Sequence, residues 1–281
     1  MQIRILEPGR GDEAALERLL VQHRDSSMFL RSNARAAGLV DRGEPLQGTW
    51  AGAFEGSELV AVVAHCWNGT VLLQAPRELP RLLAAALKAS KRGLRGFAGP
   101  YTQVREARAC LDVPGKVLHE ERELLLALEL TALRTPLAPG CCRHSREEDL
   151  ELLASWREAY LVETSLEQPG PLLRPAASAS VQASHAGQQS YVLELEGELV
   201  ATSIFNAALP DAVQVGGVYT PPALRGRGHA QRVVAGSLLD ARSRGAARAV
   251  LFTAQSNTPA LSAYRALGFE LVGDYGLLLF R

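Results

Sequence analysis

Two arginines and two glycines alternate at the start of a predicted helix. The segment 225–228 reads Arg-Gly-Arg-Gly, follows a proline pair and leads directly into a run of helical character. Glycine lets the backbone turn tightly and lets its N–H groups approach a ligand closely. A helix N-terminus attracts anions, and guanidinium groups match phosphate oxygens in charge and geometry. The segment therefore predicts phosphate binding, with a solvated surface turn as the alternative.

A second motif follows one predicted strand later. The loop RGRGHA, 225–230, is succeeded by a strand and then by NTPALSAYRALGF, 257–269, which contains Asn257, Tyr264 and a closing Gly-Phe pair. In this order and at this distance, the two motifs resemble those of the GNAT superfamily of acyl-CoA-dependent N-acetyltransferases. The resemblance covers residues 141–281.

The resemblance implies a site for acetyl-CoA. In this family the loop backbone holds the pyrophosphate of coenzyme A, and the preceding strand separates from the next one to form a slot for the pantetheine arm. The asparagine contacts that arm or orders the next loop, and the histidine of the loop either adds charge or has no specific role. The residues expected to bind the cofactor are Gly217, Val218, Tyr219, Thr220, Arg225, Gly226, Arg227, Gly228, His229, Ala230 and Asn257.

The resemblance also implies a general acid, Tyr264. An amine that attacks a thioester expels a thiolate, and a phenol with a pKa near 10 stays protonated at pH 7 and can donate to that sulfur. The alternative is an aromatic side chain that packs against Leu267 or Phe269. A tyrosine can also do both.

The general base is not evident from the sequence. Many family members carry a glutamate on the slot strand, but 214–217 reads Gln-Val-Gly-Gly and has no carboxylate. Four acidic residues elsewhere in the second half stay open as bases, each with a solvated surface charge as the alternative. A water chain or an already neutral amine would replace a base. The four residues are Asp211, Glu194, Glu196 and Glu163.

The elements that carry these motifs are predicted to occur twice. Two predicted hairpins, 53–69 and 194–208, share the same pattern. Each has a strand, a Glu-Gly turn and a second strand that begins with the sequence Glu-Leu-Val-Ala. Each hairpin follows a segment whose apolar residues have helical spacing. Each is followed by segments that predict a strand, a helix and another strand. The pattern predicts an α/β fold with two GNAT-like domains in tandem, each a twisted, mostly antiparallel mixed sheet flanked by helices, unless the hairpins are alike by chance.

The two predicted domains differ in their motifs. The boundary is expected in LRTPLAPG, 133–140, which separates a domain at 1–135 from a domain at 141–281. The first domain has no glycine loop, and its segment 105–115, at the position of the tyrosine helix, has no tyrosine. We therefore expect cofactor binding in the second domain, while the first completes the core or walls the acceptor site.

The acceptor is expected to contact the segment 167–189. Three prolines interrupt its helical pattern, and Pro175 is suited to begin a short helix through the alanine and serine run. A flexible linker is the alternative, but long free loops inside compact domains are uncommon. The sequence does not identify the acceptor beyond a small-molecule or peptide amine, nor the oligomeric state.

Composition argues against several other classes of partner. Thirty Lys and Arg residues balance thirty Asp and Glu residues, so no net charge favours nucleic acid or an acidic membrane. No apolar run has the length of a membrane span, and the start lacks the features of a signal peptide. The four cysteines have no metal-ligand spacing. We expect a cytoplasmic, metal-free N-acetyltransferase, with a non-catalytic acyl-CoA sensor or scaffold as the alternative.

Overall fold

One order of secondary structure occurs twice along the chain. The computed structural model describes residues 1–111, 116–135 and 140–280, so the predicted linker and the segment 105–115 lie partly outside the described residues. Within them, the order β-α-α-β-β-β-α-β-α-β is found once before residue 130 and once after residue 140. The predicted repeat of one α/β arrangement is confirmed.

The first copy has a long amphipathic helix after its first strand, then a hairpin, as the sequence predicts. Its strands are β1 (Gln2–Ile5), β2 (Gly48–Glu55), β3 (Glu58–Cys66), β4 (Thr70–Gln74), β5 (Gly96–Pro100) and β6 (Val117–Glu129). Its helices are α1 (Asp12–Gln22), α2 (Met28–Ala37), α3 (Leu79–Ser90) and α4 (Tyr101–Cys110).

The second copy repeats this order. Its strands are β7 (Cys141–His144), β8 (Ser190–Leu195), β9 (Glu198–Ala208), β10 (Ala212–Tyr219), β11 (Arg248–Ala254) and β12 (Glu270–Phe280). Its helices are α5 (Leu150–Glu163), α6 (Leu173–Ala186), α7 (His229–Ser243) and α8 (Thr258–Leu267). Helix α6 confirms the predicted helix in 167–189, and Pro175 lies in its first turn, where proline costs no hydrogen bond.

The chain forms two compact units. Unit 1 consists of Met1–Leu125 and Gly273–Arg281, and unit 2 consists of Leu126–Val272. The strand order in unit 1 is β1-β2-β3-β4-β5-β12-β6, where β6 belongs to this unit up to Leu125, and unit 2 contains the order β11-β10-β9-β8-β7. From β1 to β12 in the first order and throughout the second, pairing is antiparallel except for β4 with β5 and β10 with β11, which are parallel. Both sheets are mixed and mostly antiparallel, which confirms the predicted fold class.

The compact units divide the chain differently from the predicted ranges 1–135 and 141–281. Strand β12 comes last in the second copy, yet its residues from Tyr275 to Leu279 pair with β5 in unit 1. Two glycines allow this close packing. A Cβ on Gly96 would lie 2.4 Å from the carbonyl oxygen of Leu278, and one on Gly276 would lie 2.9 Å from Val104. The predicted ranges describe the repeat and stay a prediction.

Each unit has its own apolar core. In unit 1, helix α3 packs on the sheet through Leu79, Leu82 and Leu83, which are all fully buried. In unit 2, helices α5 and α6 pack on the sheet through Leu153 and Val181. In the part of the chain that the structure describes, no helix is both long enough and apolar enough to cross a membrane.

Candidate functional site

Strands β10 and β11 separate halfway along their length. Their parallel pairing covers Ala212 to Gln214 and ends there, although β10 continues to Tyr219 and β11 to Ala254. The pairing of β10 with β9 continues past that point, with register shifts after Gln214 and Gly216. Within the described chain, the far half of β10 therefore forms no strand pairing on its β11 side. This is the opening predicted for a pantetheine slot.

The glycine pair in β10 is required by the packing behind the strand. A Cβ on Gly216 would lie 1.9 Å from the side-chain nitrogen of Asn206. A Cβ on Gly217 would lie 2.8 Å from the side chain of Ile204, and the residue has a φ of +54° that favours glycine. The predicted slot residues thus lie at the place where the backbone bends away from regular pairing.

The next predicted residues fill the end of β10. Tyr219 is buried, its ring centroid lies 6.2 Å from that of Trp156, and burial raises the pKa of its phenol. Val218 is half-buried, and Thr220 is buried with a hydroxyl that has no hydrogen-bond partner among the described residues. Tyr219 is part of the core rather than a free side chain.

The glycine loop leaves its backbone amides unused. Gly226 and Gly228 have φ values of +76° and +75°, and no atom lies within 4 Å of a Cβ at either position. Gly228 caps helix α7, and the amide of Arg232 donates to the Gly228 carbonyl at 3.1 Å to close the first turn. Across the described residues, the six consecutive N–H groups from 226 to 231 donate to no protein acceptor. Free amides at a helix N-terminus are suited to bind an anion, and anion binding by this loop stays a prediction.

The two arginines of the loop differ in their contacts. The Nε of Arg225 donates to the carbonyl of Thr220 at 2.9 Å, and its Nη2 lies 2.7 Å from a carboxylate oxygen of Glu163. The guanidinium of Arg227 is exposed, and its one hydrogen bond to the described residues is a 3.5 Å contact with the carbonyl of Ala223. Arg225 therefore fixes the loop, whereas Arg227 is available to an anion.

A third arginine at this loop escaped the sequence analysis. Arg232, one turn into α7, donates to the carbonyl of Arg227 at 2.5 Å and to Nδ1 of His229 at 3.0 Å. Its spacing of four residues from Gly228 places it over the loop, because residues four apart share a helix face. That spacing is the signal that would have found it.

The histidine of the loop is buried and neutral. Its side chain is 4% exposed, and burial, with the charges of Arg232 and Arg227, lowers the pKa of the His229 imidazole. The lowered pKa favours the neutral imidazole, and a role of His229 in cofactor binding stays a prediction. The adjacent Ala230 is half-buried and contributes its backbone amide.

The second motif forms the start of helix α8. The side-chain oxygen of Asn257 accepts from the amide of Ala260 at 3.3 Å, so this residue caps the helix and orders the loop, the second of its two predicted roles. Tyr264 is half-buried two turns later, and its ring packs edge-on against Phe269 at 5.9 Å between centroids. The predicted packing contact of Tyr264 is present, and its role as an acid stays a prediction.

A pocket opens beside the bend in β10. Helices α5 and α6 form one wall, and strands β8, β9 and β10 form the other. Its lining combines aromatic and aliphatic side chains with three serines, one threonine and one arginine. The lining residues are Leu153, Trp156, Arg157, Tyr160, Ser180, Val181, Ser184, Ser190, Thr202, Ile204, Gly217 and Tyr219. The helix predicted in 167–189 is thus part of the pocket, whereas no sequence pattern pointed to Arg157.

None of the four candidate bases is among the described residues that line this pocket. Glu163 comes nearest by its contacts, because it pairs with Arg225, whose guanidinium lies over the ring of the pocket residue Tyr219. Glu194 pairs with Arg143 at 2.8 Å, and Glu196 is exposed in the turn between β8 and β9. Asp211 precedes the paired end of β10, about 20 Å from Gly217 at about 3.3 Å per residue. The role of base stays a prediction for each of the four.

Comparison with known proteins identifies the family of the second unit. Residues 150–269 match the model of the acetyltransferase (GNAT) family. No curated protein sequence matches the chain. Because the matched range contains the slot strand, the glycine loop and the Asn-Tyr helix, this part of the chain is a GNAT acetyltransferase domain. Members of this family use acetyl-CoA as co-substrate.

Solved structures share the fold over the whole chain. A GNAT-family acetyltransferase from Colwellia psychrerythraea is 15% identical, with 100% of each chain covered and a TM-score of 0.56. A GCN5-related N-acetyltransferase from Kribbella flavida is 20% identical over 92% of this chain and 94% of that one, also at 0.56. A tandem GNAT protein from the clavulanic acid biosynthesis pathway is 11% identical over 99% and 97%, at 0.58. The fold is that of a tandem GNAT protein.

Proposed function

We propose that this chain is an acetyl-CoA-dependent N-acetyltransferase that transfers acetyl directly to a primary amine in a ternary complex. The observation that carries the proposal is the row of six free backbone amides at the start of α7, next to the opening between β10 and β11. A diphosphate fits this loop because no side chain projects from Gly226 or Gly228 and the helix dipole favours negative charge.

The residues of unit 2 divide into three roles under this proposal. The loop amides and Arg227 hold the diphosphate, the unpaired edge of β10 from Gly217 to Thr220 holds the pantetheine arm, and Asn257 fixes the following loop. When bound, acetyl-CoA supplies a thioester-activated acetyl group. The pocket between α5, α6 and β10 holds the acceptor amine beside that edge.

Proton transfer in this proposal relies on Tyr264 and on water. The Oη of Tyr264 donates a proton to the departing sulfur. Since no carboxylate lines the acceptor pocket, the amine arrives neutral or loses its proton to a water that the pocket hydroxyls hold. Direct transfer needs no nucleophilic side chain, and the pocket lining contains no cysteine.

The missing carboxylate also favours a second candidate function, a non-catalytic acyl-CoA sensor. Such a protein would keep the cofactor loop and would need no base. The two candidates differ in turnover, because only an enzyme releases free thiol from acetyl-CoA in the presence of an amine.

A panel of primary amines tests the proposal. The protein is mixed with acetyl-CoA and amino acids, amino sugars, polyamines and short peptides, and free thiol is measured with a thiol reagent. We expect thiol release and an acetylated product with at least one amine, and no release by the Gly228→Glu variant. Binding of acetyl-CoA without thiol release for any amine would favour the sensor.

A further inference from the structure

The acceptor pocket contains one charged side chain, Arg157. It projects from the middle of α5 between hydroxyls of α6 and the bend of β10. Its Nη1 lies 3.4 Å from where a Cβ on Gly217 would be, so the guanidinium reaches the place where β10 leaves β11. A positive charge therefore stands beside the predicted reaction point.

This guanidinium lacks the acidic partner that neighbouring arginines have. Arg143 contacts Asp149 and Glu194, Arg174 contacts Glu158, and Arg225 contacts Glu163. In the described part of the chain, Arg157 makes no ion pair or hydrogen bond.

The surroundings of Arg157 make the lack of an acidic partner energetically unfavourable. Its buried Nε has no hydrogen-bond partner, and its one charge-related contact is the ring of Tyr160, 5.2 Å from the guanidinium carbon. Burial also lowers the pKa of the Arg157 side chain, which means that its charge is poorly solvated. Arg157 as a whole is half-buried, and a cation whose buried Nε has no partner is less favourable than a paired one, so an anionic ligand that accepts from it would lower that cost.

We infer that the acceptor amine carries a carboxylate, bound by Arg157, close to its amino group, as in a free amino acid. This inference rests on the proposed acetyltransferase function. A carboxylate accepts two parallel hydrogen bonds from a guanidinium. One lining cation balances one negative charge, which favours a carboxylate over a doubly charged phosphate.

The position of Arg157 sets the distance between the two groups of the acceptor. The guanidinium and the unpaired edge of β10 meet at Gly217, so a carboxylate on Arg157 leaves only a few bonds to the attacking nitrogen. Free amino acids meet this condition, whereas the amino terminus of a peptide has no carboxylate nearby. Ser180, Ser184 and Thr202 line the same pocket, and the hydroxyls of Ser184 and Thr202 donate to the carbonyls of Ser180 and Tyr191.

Binding measurements test the inference independently of turnover. The full chain is saturated with CoA, and its thermal unfolding is recorded with each free amino acid and with the matching amino acid amide. We expect at least one free acid to raise the unfolding temperature, its amide to bind about thirtyfold more weakly or worse, and Arg157→Met to remove the difference. Equal effects of acids and amides on the wild-type protein, or no effect of any acid, would overturn it.

Two further variants control for structural effects of the substitution. Arg174→Met removes an arginine of α6 that has acidic partners and does not line the pocket, so it should keep the preference for acids. Arg157→Lys keeps the charge without the paired donors and should keep part of the preference. If Arg157→Met does not fold, the acid and amide comparison on the wild-type protein still decides.

Turnover separates this inference from the proposed function. Thiol release with amides as fast as with acids would support the acetyltransferase and contradict the carboxylate. Binding of acids through Arg157 without thiol release would support the carboxylate and contradict the acetyltransferase.

Discussion

Two parallel strand pairs, β4 with β5 in unit 1 and β10 with β11 in unit 2, end in different ways. In unit 1 the strands stay close beyond their last paired residues, since a Cβ on Gly99 would lie 2.7 Å from the carbonyl of Leu73. The amide of Ala75 then donates to the side chain of Gln103 at 2.7 Å. In unit 2 the strands separate, and six loop amides have no acceptor in the described chain.

The loops that connect β4 to α3 and β10 to α7 also differ. Helix α3 begins after Glu78, a non-glycine residue with a φ of +59°, and has a proline in its first turn. Helix α7 begins after Gly228 in a loop that is open to solvent. One order of elements thus gives a closed end in unit 1 and an open, polar end in unit 2. Function follows from the residues at the strand ends and not from the fold alone.

The largest expected effect comes from placing a negative charge in the open loop. A Glu at 228 would stand beside the bound diphosphate, and like charges about 4 Å apart repel by about 4 kcal/mol near a protein surface, roughly a thousandfold in affinity. We expect Gly228→Glu to abolish acetyl-CoA binding in calorimetry. Gly228→Gln separates charge from bulk, and Gly56→Glu, at an open position with a φ of +60°, controls for backbone strain. Unchanged affinity in Gly228→Glu would refute the phosphate loop.

The next effect concerns Tyr264. Removing a general acid lowers rates by at least about a hundredfold, so Tyr264→Phe should lower kcat by that factor and leave acetyl-CoA affinity within about twofold. The ring contact with Phe269 is kept in this variant. Tyr101→Phe in unit 1 is the matched control. Wild-type turnover in Tyr264→Phe would assign the tyrosine to packing only.

A third variant tests whether unit 1 is closed to the cofactor. Gln103→Leu leaves the buried amide of Ala75 without an acceptor, which costs about 1 to 3 kcal/mol in the free energy of unfolding. We expect a lower midpoint in denaturant and unchanged acetyl-CoA affinity. Gln22→Leu, at an exposed end of α1, should leave the midpoint within the error of measurement. A change in affinity on replacing Gln103 would indicate a second cofactor site.

The smallest effect is expected for Glu163. Its carboxylate pairs with Arg225 at the surface, and exposed pairs contribute about 0.2 to 1 kcal/mol. Glu163→Gln should therefore change kcat by less than about threefold, as should Glu158→Gln on the same helix. A loss of a hundredfold confined to Glu163→Gln would identify it as the base.

The sequence predicted the open end of unit 2 better than its acceptor pocket. The glycines at 226 and 228 act through local backbone geometry, which short motifs encode directly. Arg157 acts through its position between α5, α6 and β10, and no local pattern distinguishes it from a solvated helix charge. Helix α2 was missed because its buried face includes Arg31 and Asn33, which obscure the apolar period.

The pairing partner of strand β12 could not be predicted from the sequence either. The closing strand β12 has a clear strand pattern, but its pairing with β5 depends on the fit of Gly96 and Gly276 to their neighbours. A local pattern identifies a strand and does not identify its partner.

The most direct test of the central claim is thermal unfolding with acetyl-CoA, free CoA and ATP. A ligand at a hundredfold its dissociation constant adds about 2.7 kcal/mol to the stability of the folded protein. We predict a rise in the unfolding temperature with both CoA species, a smaller effect or none with ATP, and no rise in Gly228→Glu. No rise with any of the three ligands would mean that the loop 225–230 is only a turn and would contradict the account.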